Sequence, residues 1–214
     1  MFVSIFAGGL LILCAYLLGS IPTGYLAGLY LKGIDIRECG SGSTGATNVL
    51  RVIGKAAAIA VLVIDIFKGA IAVAAVKLSY FYVSPDFLPW QWKNWLVVGA
   101  ALAVVLGHSK SIWLNFTGGK SAATSLGVLL VINPVVALAT LGIFLGVLAI
   151  SGIVSLSSLS GAIAVNIFMV LLNQPLPYIL FAIVAGIYVI IRHTSNIQRL
   201  MAGTEPRLGQ TSKA

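Results

Sequence analysis

Long apolar runs alternate with short polar stretches along the chain. The first run, about residues 3–31, is long enough to cross a bilayer with tilt. Gly19-Ser20-Ile21-Pro22 interrupts it and predicts a kink or helix end near Pro22. A polar stretch from Gly33 to Arg51 follows, and a second run, about 52–82, carries Asp65 and Lys68 within it. Residues 81–95 are rich in the aromatics that settle at a membrane interface. The third run, 96–106, is short for a crossing, which puts Gly107-His108 at membrane depth inside protein. Residues 108–121 are polar again. The apolar segment that follows, to Ile150, is broken at Asn133-Pro134, and a milder break spans 151–158. Another run ends at Asn173-Gln174-Pro175, and the last reaches Ile191 before a polar tail.

Residues 121–150 decide the topology. At about 1.5 Å per residue the segment is long for one crossing and short for two. The first Lys and Arg follow the first run, which puts the N-terminus outside and the first polar stretch in the cytoplasm. A single crossing gives six spans and leaves Arg192, Arg199, Arg207 and Lys213 outside. A hairpin at Asn133-Pro134 gives seven and brings them inside, and the positive-inside tendency selects it. The expected fold is therefore an all-α integral membrane protein, a single polytopic domain over residues 1–214. It has seven transmembrane helices, some short or kinked, with the N-terminus outside and the C-terminus cytoplasmic. The polar segments near 33–51, 107–121, 151–158 and 192–207 then all face the cytoplasm.

Composition agrees with a membrane protein. The chain is 59% hydrophobic and 8% charged, with mean hydropathy +1.06; a soluble domain carries about 25% charged residues. The apolar runs are continuous, whereas membrane strands would alternate. The net charge of +8 reads as cytoplasmic Lys and Arg, and the absence of a basic run interleaved with aromatics argues against nucleic acid. Cys14 and Cys39 form no framework, and no metal-ligand spacing is present, so neither metal nor cofactor is expected. The N-terminus lacks the Lys/Arg of a secretory signal, and Leu13 stands before Cys14 where a lipoprotein signal has a small residue. The first run is thus expected to stay as a span.

The densest chemistry lies in Gly33–Arg51. Its glycines allow successive backbone N–H groups to turn inward and bind an anion, and Arg37 and Arg51 flank it as phosphate ligands. A flexible solvated loop is the alternative. Gly40-Ser-Gly42-Ser-Thr-Gly45 spells the dinucleotide fingerprint, but a membrane helix stands where that motif needs a β-strand. Thr117-Gly-Gly-Lys120-Ser121 resembles the end of a P-loop whose first glycine would fall at Leu114, so it is rejected too. What survives is glycine turns feeding helix N-termini, where free N–H groups favour phosphate, with Asn48 or Lys120 in a first turn. Lys110 reads equally as a membrane-side anchor, and His108 and His193 as interfacial histidines satisfied by carbonyls. Asp65 and Lys68, three apart on one helix face, are expected to pair and to hold helices together, beside the small residues Gly69, Ala70 and Ala74.

These residues resemble a known family. Gly19-Ser-Ile-Pro22-Thr-Gly24 with Asp35-Ile-Arg37-x-x-Gly40-Ser41-Gly42-x-x-Gly45-Ala-Thr-Asn48-x-x-Arg51 is similar to the first signature of the bacterial membrane acyl-phosphate–glycerol-3-phosphate acyltransferases. Asp65-x-x-Lys68-Gly69, Gly107-His108 and Gly118-Gly119-Lys120 resemble the second region. Arg192-His193-x-x-Asn196-Ile-x-Arg199-Leu-x-x-Gly203-x-Glu205 resembles the third. The resemblance implies seven spans and a cytoplasm-facing site in the bacterial inner membrane. It also implies transfer of a fatty acyl group from acyl phosphate to the 1-hydroxyl of glycerol 3-phosphate, giving lysophosphatidic acid and phosphate. Ser41, Arg51, His193 and Asn196 are implied as catalytic. Gly40, Gly42, Gly45, Asn48, Gly118, Gly119, Lys120, Arg199 and Glu205 are implied to bind substrate. Membrane lipid surrounds the chain, and functional coupling to an enzyme that makes acyl phosphate is implied. The general base is either His193 or a substrate phosphate.

The chain departs from the family pattern in places. Ser43 stands where Asn is usual, Lys110-Ser111 replace an aromatic-Pro pair, and Thr117 and Ser121 replace Lys and Gly around Gly118-Gly119-Lys120. The rival class is a transporter of an organic phosphate. Such carriers place their sites near midplane and often in repeated halves, and neither pattern is visible in this sequence.

Overall fold

The computed structural model of the chain describes residues 1–209. Helix α1 (Phe2–Ser20) and α2 (Thr23–Lys32) are separated by Ile21-Pro22, the expected break. Gly33, at φ 64°, ends α2 in the left-handed conformation that glycine adopts without a Cβ clash. After a single 3₁₀ turn at Ile36–Glu38 come short α3 (Ala46–Val52) and long α4 (Lys55–Tyr82). Then follow α5 (Lys93–Ser109), α6 (Ala122–Ile132), α7 (Pro134–Ser151), α8 (Val154–Leu171), α9 (Leu176–Arg192) and α10 (Thr194–Met201), the last bent by 60° from α9. Among the described residues, segments 2–32, 55–82, 134–151 and 154–171 are long and apolar enough to cross a membrane; α9 with α10 makes a bent fifth.

Helix α5 begins earlier than the apolar run suggests. Its polar first turn is satisfied: the Lys93 ammonium lies 5.0 Å from the Trp90 ring centre, and Asn94 Oδ1 accepts from the Tyr178 hydroxyl at 2.9 Å. Farther along, α5 is the centre of the bundle. Val97, Ala100, Ala101 and Val104 are fully enclosed by neighbouring helices, α1, α4 and α9 among them.

With little hydrophobic driving force between helices in lipid, close backbone approach takes over. A Cβ at Gly19 would fall 2.3 Å from the Val104 carbonyl oxygen, and one at Gly107 2.3 Å from that of Tyr16, so α1 and α5 touch through glycine. Helices α4 and α6 are locked reciprocally. A Cβ at Gly69 would lie 2.2 Å from the Thr124 oxygen, and one at Gly127 1.9 Å from the Ile66 oxygen.

Asn133 makes the α6–α7 hairpin. Its Oδ1 accepts from the Val135 and Val136 amides, and Pro134 occupies the first helical position, where a missing N–H costs nothing. This turn sits level with the α8–α9 turn, since Asn133 Nδ2 donates to Gln174 Oε1 at 2.8 Å. The Lys77 ammonium, half-buried on α4, donates to the Val131 and Ile132 carbonyls and so caps the end of α6. At the opposite end of the bundle, all four polar segments meet.

Candidate active site

The first loop is wound around Asn48. Its Nδ2 donates to the carbonyls of Ile36 (3.2 Å), Cys39 (3.0 Å) and Ser43 (2.9 Å), and its Oδ1 accepts from the Ser41 amide at 2.9 Å. Gly40 and Gly42, at φ 60° and 69°, let the chain close this tightly. Asn48 does fall in the first turn of α3, and its polar atoms are engaged within the loop, which it organises. The Gly42 and Gly45 amides likewise donate internally, to the Cys39 carbonyl and the Ser43 hydroxyl. Arg37, expected on phosphate, is paired with Asp35 and lies over the Tyr25 ring; its hydrogen bond holds the Asp35 carboxyl below the usual range. Ser41 is exposed on the outside of the loop. Arg51, half-buried at the end of α3, has no carboxylate partner among the described residues.

The second element is the turn Gly118-Gly119-Lys120. Ser111 and Thr117 bridge across a tight hairpin. The Gly119 amide donates to the His108 carbonyl at 3.1 Å, and Arg192 Nη2 lies 3.2 Å from both the Gly118 and Gly119 carbonyls. Ser121 adopts φ 64°, which explains why the family pattern has glycine there. Here the strain is offset by its hydroxyl, which donates to the Val105 carbonyl and lies 2.6 Å from Ser109 Oγ. Because Ser121 is the N-cap of α6, Lys120 precedes the helix and is not in its first turn.

The third element comes from the tail. Glu205, buried, accepts at Oε1 from Asn196 Nδ2 (2.6 Å) and Ser155 Oγ (2.7 Å), and at Oε2 from Arg199 Nε (2.6 Å). Asn196 is thereby oriented with its Oδ1 toward Lys120 Nζ, 2.5 Å away. Burial works against the Glu205 carboxylate, yet the Asn196, Ser155 and Arg199 hydrogen bonds outweigh it and hold the carboxyl below its ordinary range. Burial, with Arg199 close by, brings the Lys120 ammonium down to about 8. His193 Nδ1 lies 2.7 Å from the Val189 carbonyl, which can only accept, so Nδ1 carries the proton and Nε2 is an acceptor. Burial lowers the His193 imidazole to about 4, leaving it neutral at pH 7.

Between the first loop and the hairpin lies a cleft of about 460 Å³ whose walls include Arg37, Gly42, Lys110, Thr117, Gly118 and Arg192. An apolar groove of about 660 Å³ runs beside it along the α1–α2 break, lined by Cys14, Leu17, Ile21, Tyr25, Trp113 and Leu114. Tyr25 belongs to the groove and carries Arg37, which belongs to the cleft, so the two are neighbours.

Lys120, His193, Asn196, Arg199 and Glu205 are thus brought together, and the Arg51 charge is felt at Lys120. Two residues that hold this group in place were not singled out as site residues from the sequence: Arg192, which holds the glycine turn, and Ser155, which holds Glu205. A cation closing the last apolar run and a serine in the 151–158 break were the available signals.

The family model of glycerol-3-phosphate acyltransferases matches residues 9–203. The chain is 67% identical over 201 residues to the glycerol-3-phosphate acyltransferase of Crocosphaera subtropica, covering 94% of each. It is 66% identical over 202 residues to that of Rippkaea orientalis, covering 94% of this chain and 93% of the relative. Crystal structures of PlsY, an integral membrane glycerol 3-phosphate acyltransferase, share the fold. The glycerol 3-phosphate form has TM-score 0.83 at 36% identity, covering 94% of this chain and 96% of that one. The lysophosphatidic acid form has TM-score 0.82 at 37% identity, covering 94% and 95%.

Proposed function

This chain belongs to the glycerol-3-phosphate acyltransferase family, and from that premise we propose how its cleft moves an acyl group. The enzyme transfers the group from acyl phosphate to the 1-hydroxyl of glycerol 3-phosphate. The observation that carries this reading is the chain Lys120–Asn196–Glu205, a cation held at a glycine turn by a fully hydrogen-bonded carboxylate, beside a polar cleft that adjoins an apolar groove. Lys120, held in place by the Gly118-Gly119 turn, binds the phosphate of glycerol 3-phosphate. Ser41 and Arg51 meet the donor phosphate, and the acyl chain lies along Leu17, Ile21 and Trp113.

The hydroxyl oxygen attacks the acyl carbonyl, the new C–O bond forms, and the C–O bond to phosphate breaks as phosphate leaves. His193, at about 4, is a weak base, whereas a phosphate monoester has its second pKa near about 6. The hydroxyl proton therefore goes to phosphate, and His193 Nε2 orients the hydroxyl. Acyl phosphate is already activated, so positioning and cationic stabilisation of the developing charge supply the barrier reduction. Seven crossings, α1/α2 and α4 to α9, with the N-terminus outside, set the cleft on the cytoplasmic side of a bacterial inner membrane. There the donor arrives from an enzyme that makes acyl phosphate.

The test is lysophosphatidic acid formation by purified protein in lipid, with glycerol 3-phosphate and either acyl phosphate or acyl-CoA. Product from acyl phosphate supports the reading. Product from acyl-CoA alone moves the donor, and glycerol 3-phosphate carried across the bilayer without product turns the assignment to transport.

Lys120 gives a pH dependence. Its ammonium is charged below about 8 and neutral above, so the KM for glycerol 3-phosphate is expected to be flat below about 8, down to the second pKa of the substrate phosphate at about 6. Above about 8 it rises by up to about tenfold per pH unit, the limit for loss of one essential proton. In Lys120→Arg, whose guanidinium stays charged, the rise disappears; a rise that persists there assigns the dependence elsewhere.

A further inference from the structure

We propose that Asp65 is a positioning residue that keeps the two substrate loops in register, an inference that rests on the acyltransferase reading above. Three groups from three elements converge on one carboxylate oxygen, and Asp65 is 1% exposed. The Thr23 hydroxyl donates to Oδ1 at 2.7 Å from the start of α2, Lys68 Nζ lies 2.8 Å away on α4, and His108 Nδ1 lies 3.5 Å away at the end of α5. Lys68 also donates to the Ile21 carbonyl at the broken first span, at 3.1 Å.

Two of these partners, Thr23 and His108, lead to the substrate loops. Thr23 is followed by Gly24, which is pressed on the first loop: a Cβ there would stand 1.9 Å from the Thr44 carbonyl oxygen. His108 presses on the second: a Cβ at Gly119 would come 2.0 Å from its Nε2, and its carbonyl holds the Gly119 amide. The α4–α6 glycine contacts fix Asp65 and the base of the Lys120 turn to one rigid pair of helices. The carboxylate thus sets the distance between the loop carrying Ser41 and Arg51 and the turn carrying Lys120. Misplacing reacting groups by about 1 Å costs on the order of 10²-fold in rate.

The experiment compares wild type with Thr23→Val, Asp65→Asn, His108→Gln and the Thr23→Val/His108→Gln double variant. Lysophosphatidic acid formation is measured with both substrates saturating, well below each variant's Tm. Asp65→Asn is expected to lower kcat at least tenfold, and the double variant to lose less than the product of its two single losses, because both act through one carboxylate. Wild-type kcat in folded variants, with only Tm reduced, overturns the proposal and leaves a structural pair. If Asp65→Asn does not fold, Thr23→Val, which removes one hydroxyl, and the double variant decide the matter. Absence of product from wild type defeats the acyltransferase reading itself, whereas an active wild type with unaffected variants defeats only the role of Asp65.

Discussion

Arg51→Ala is expected to lose at least about 10²–10³-fold in turnover, the scale set by removing a single donor that stabilises transition-state charge. Arg51 stands apart from the other cations of the site. Arg37 is held by Asp35, Arg199 by Glu205, and Arg192 by the glycine-turn carbonyls. Arg51 has none of these partners, and its charge reaches Lys120. Its role in the fold is small, since it closes a seven-residue helix whose loop is organised by Asn48. The variant should therefore retain the wild-type Tm while losing product formation. Arg51→Lys should recover only part of the rate, because an ammonium offers a point charge where the guanidinium offers a fork. Wild-type turnover in folded Arg51→Ala would remove this residue from the mechanism.

Gly127→Ala is expected to be the most damaging single methyl in the bundle. Its Cβ would stand 1.9 Å from the Ile66 carbonyl oxygen, which is backbone and cannot rotate away. Helices α4 and α6 would have to separate, opening the reciprocal contact at Gly69 as well. A loss of about 4 kcal/mol is the scale for such overpacking with strain. At about 2–4 °C per kcal/mol for a chain of this size, Tm should fall by about 10 °C. Gly142→Ala is the control, because a Cβ there meets nothing within 4 Å. Equal melting temperatures for the two variants would show that the α4–α6 approach carries no special weight.

Much of this architecture was legible from local chemistry. Pro22 cannot continue a helix, and Asn133 before Pro134 is a cap followed by a helix start, so the break and the hairpin could be read directly. The gathering of polar segments at one end followed from alternating spans. The internal use of Asn48 was not legible, because an asparagine that closes a loop and one that binds a ligand have the same sequence signature. Neither were Ser155–Glu205 and Arg192–Gly118, which join residues 50 and 74 positions apart and depend on how helices stack. His193 was named from the sequence with its part as a base left open; what the sequence did not show is the burial that lowers its imidazole to about 4.

The shortness of α6 has a consequence for depth. Its 11 residues extend about 16 Å, whereas the 17 residues of α9 extend about 26 Å. The end of α6 and the start of α9 lie at the same level, tied by Asn133 and Gln174. The Lys120 end of α6 therefore stops about 10 Å short of the far end of α9. On the acyltransferase reading, a reaction centre recessed by that amount below the polar end of the bundle lets the acyl carbonyl approach from the lipid side while the water-soluble acceptor enters from the rim.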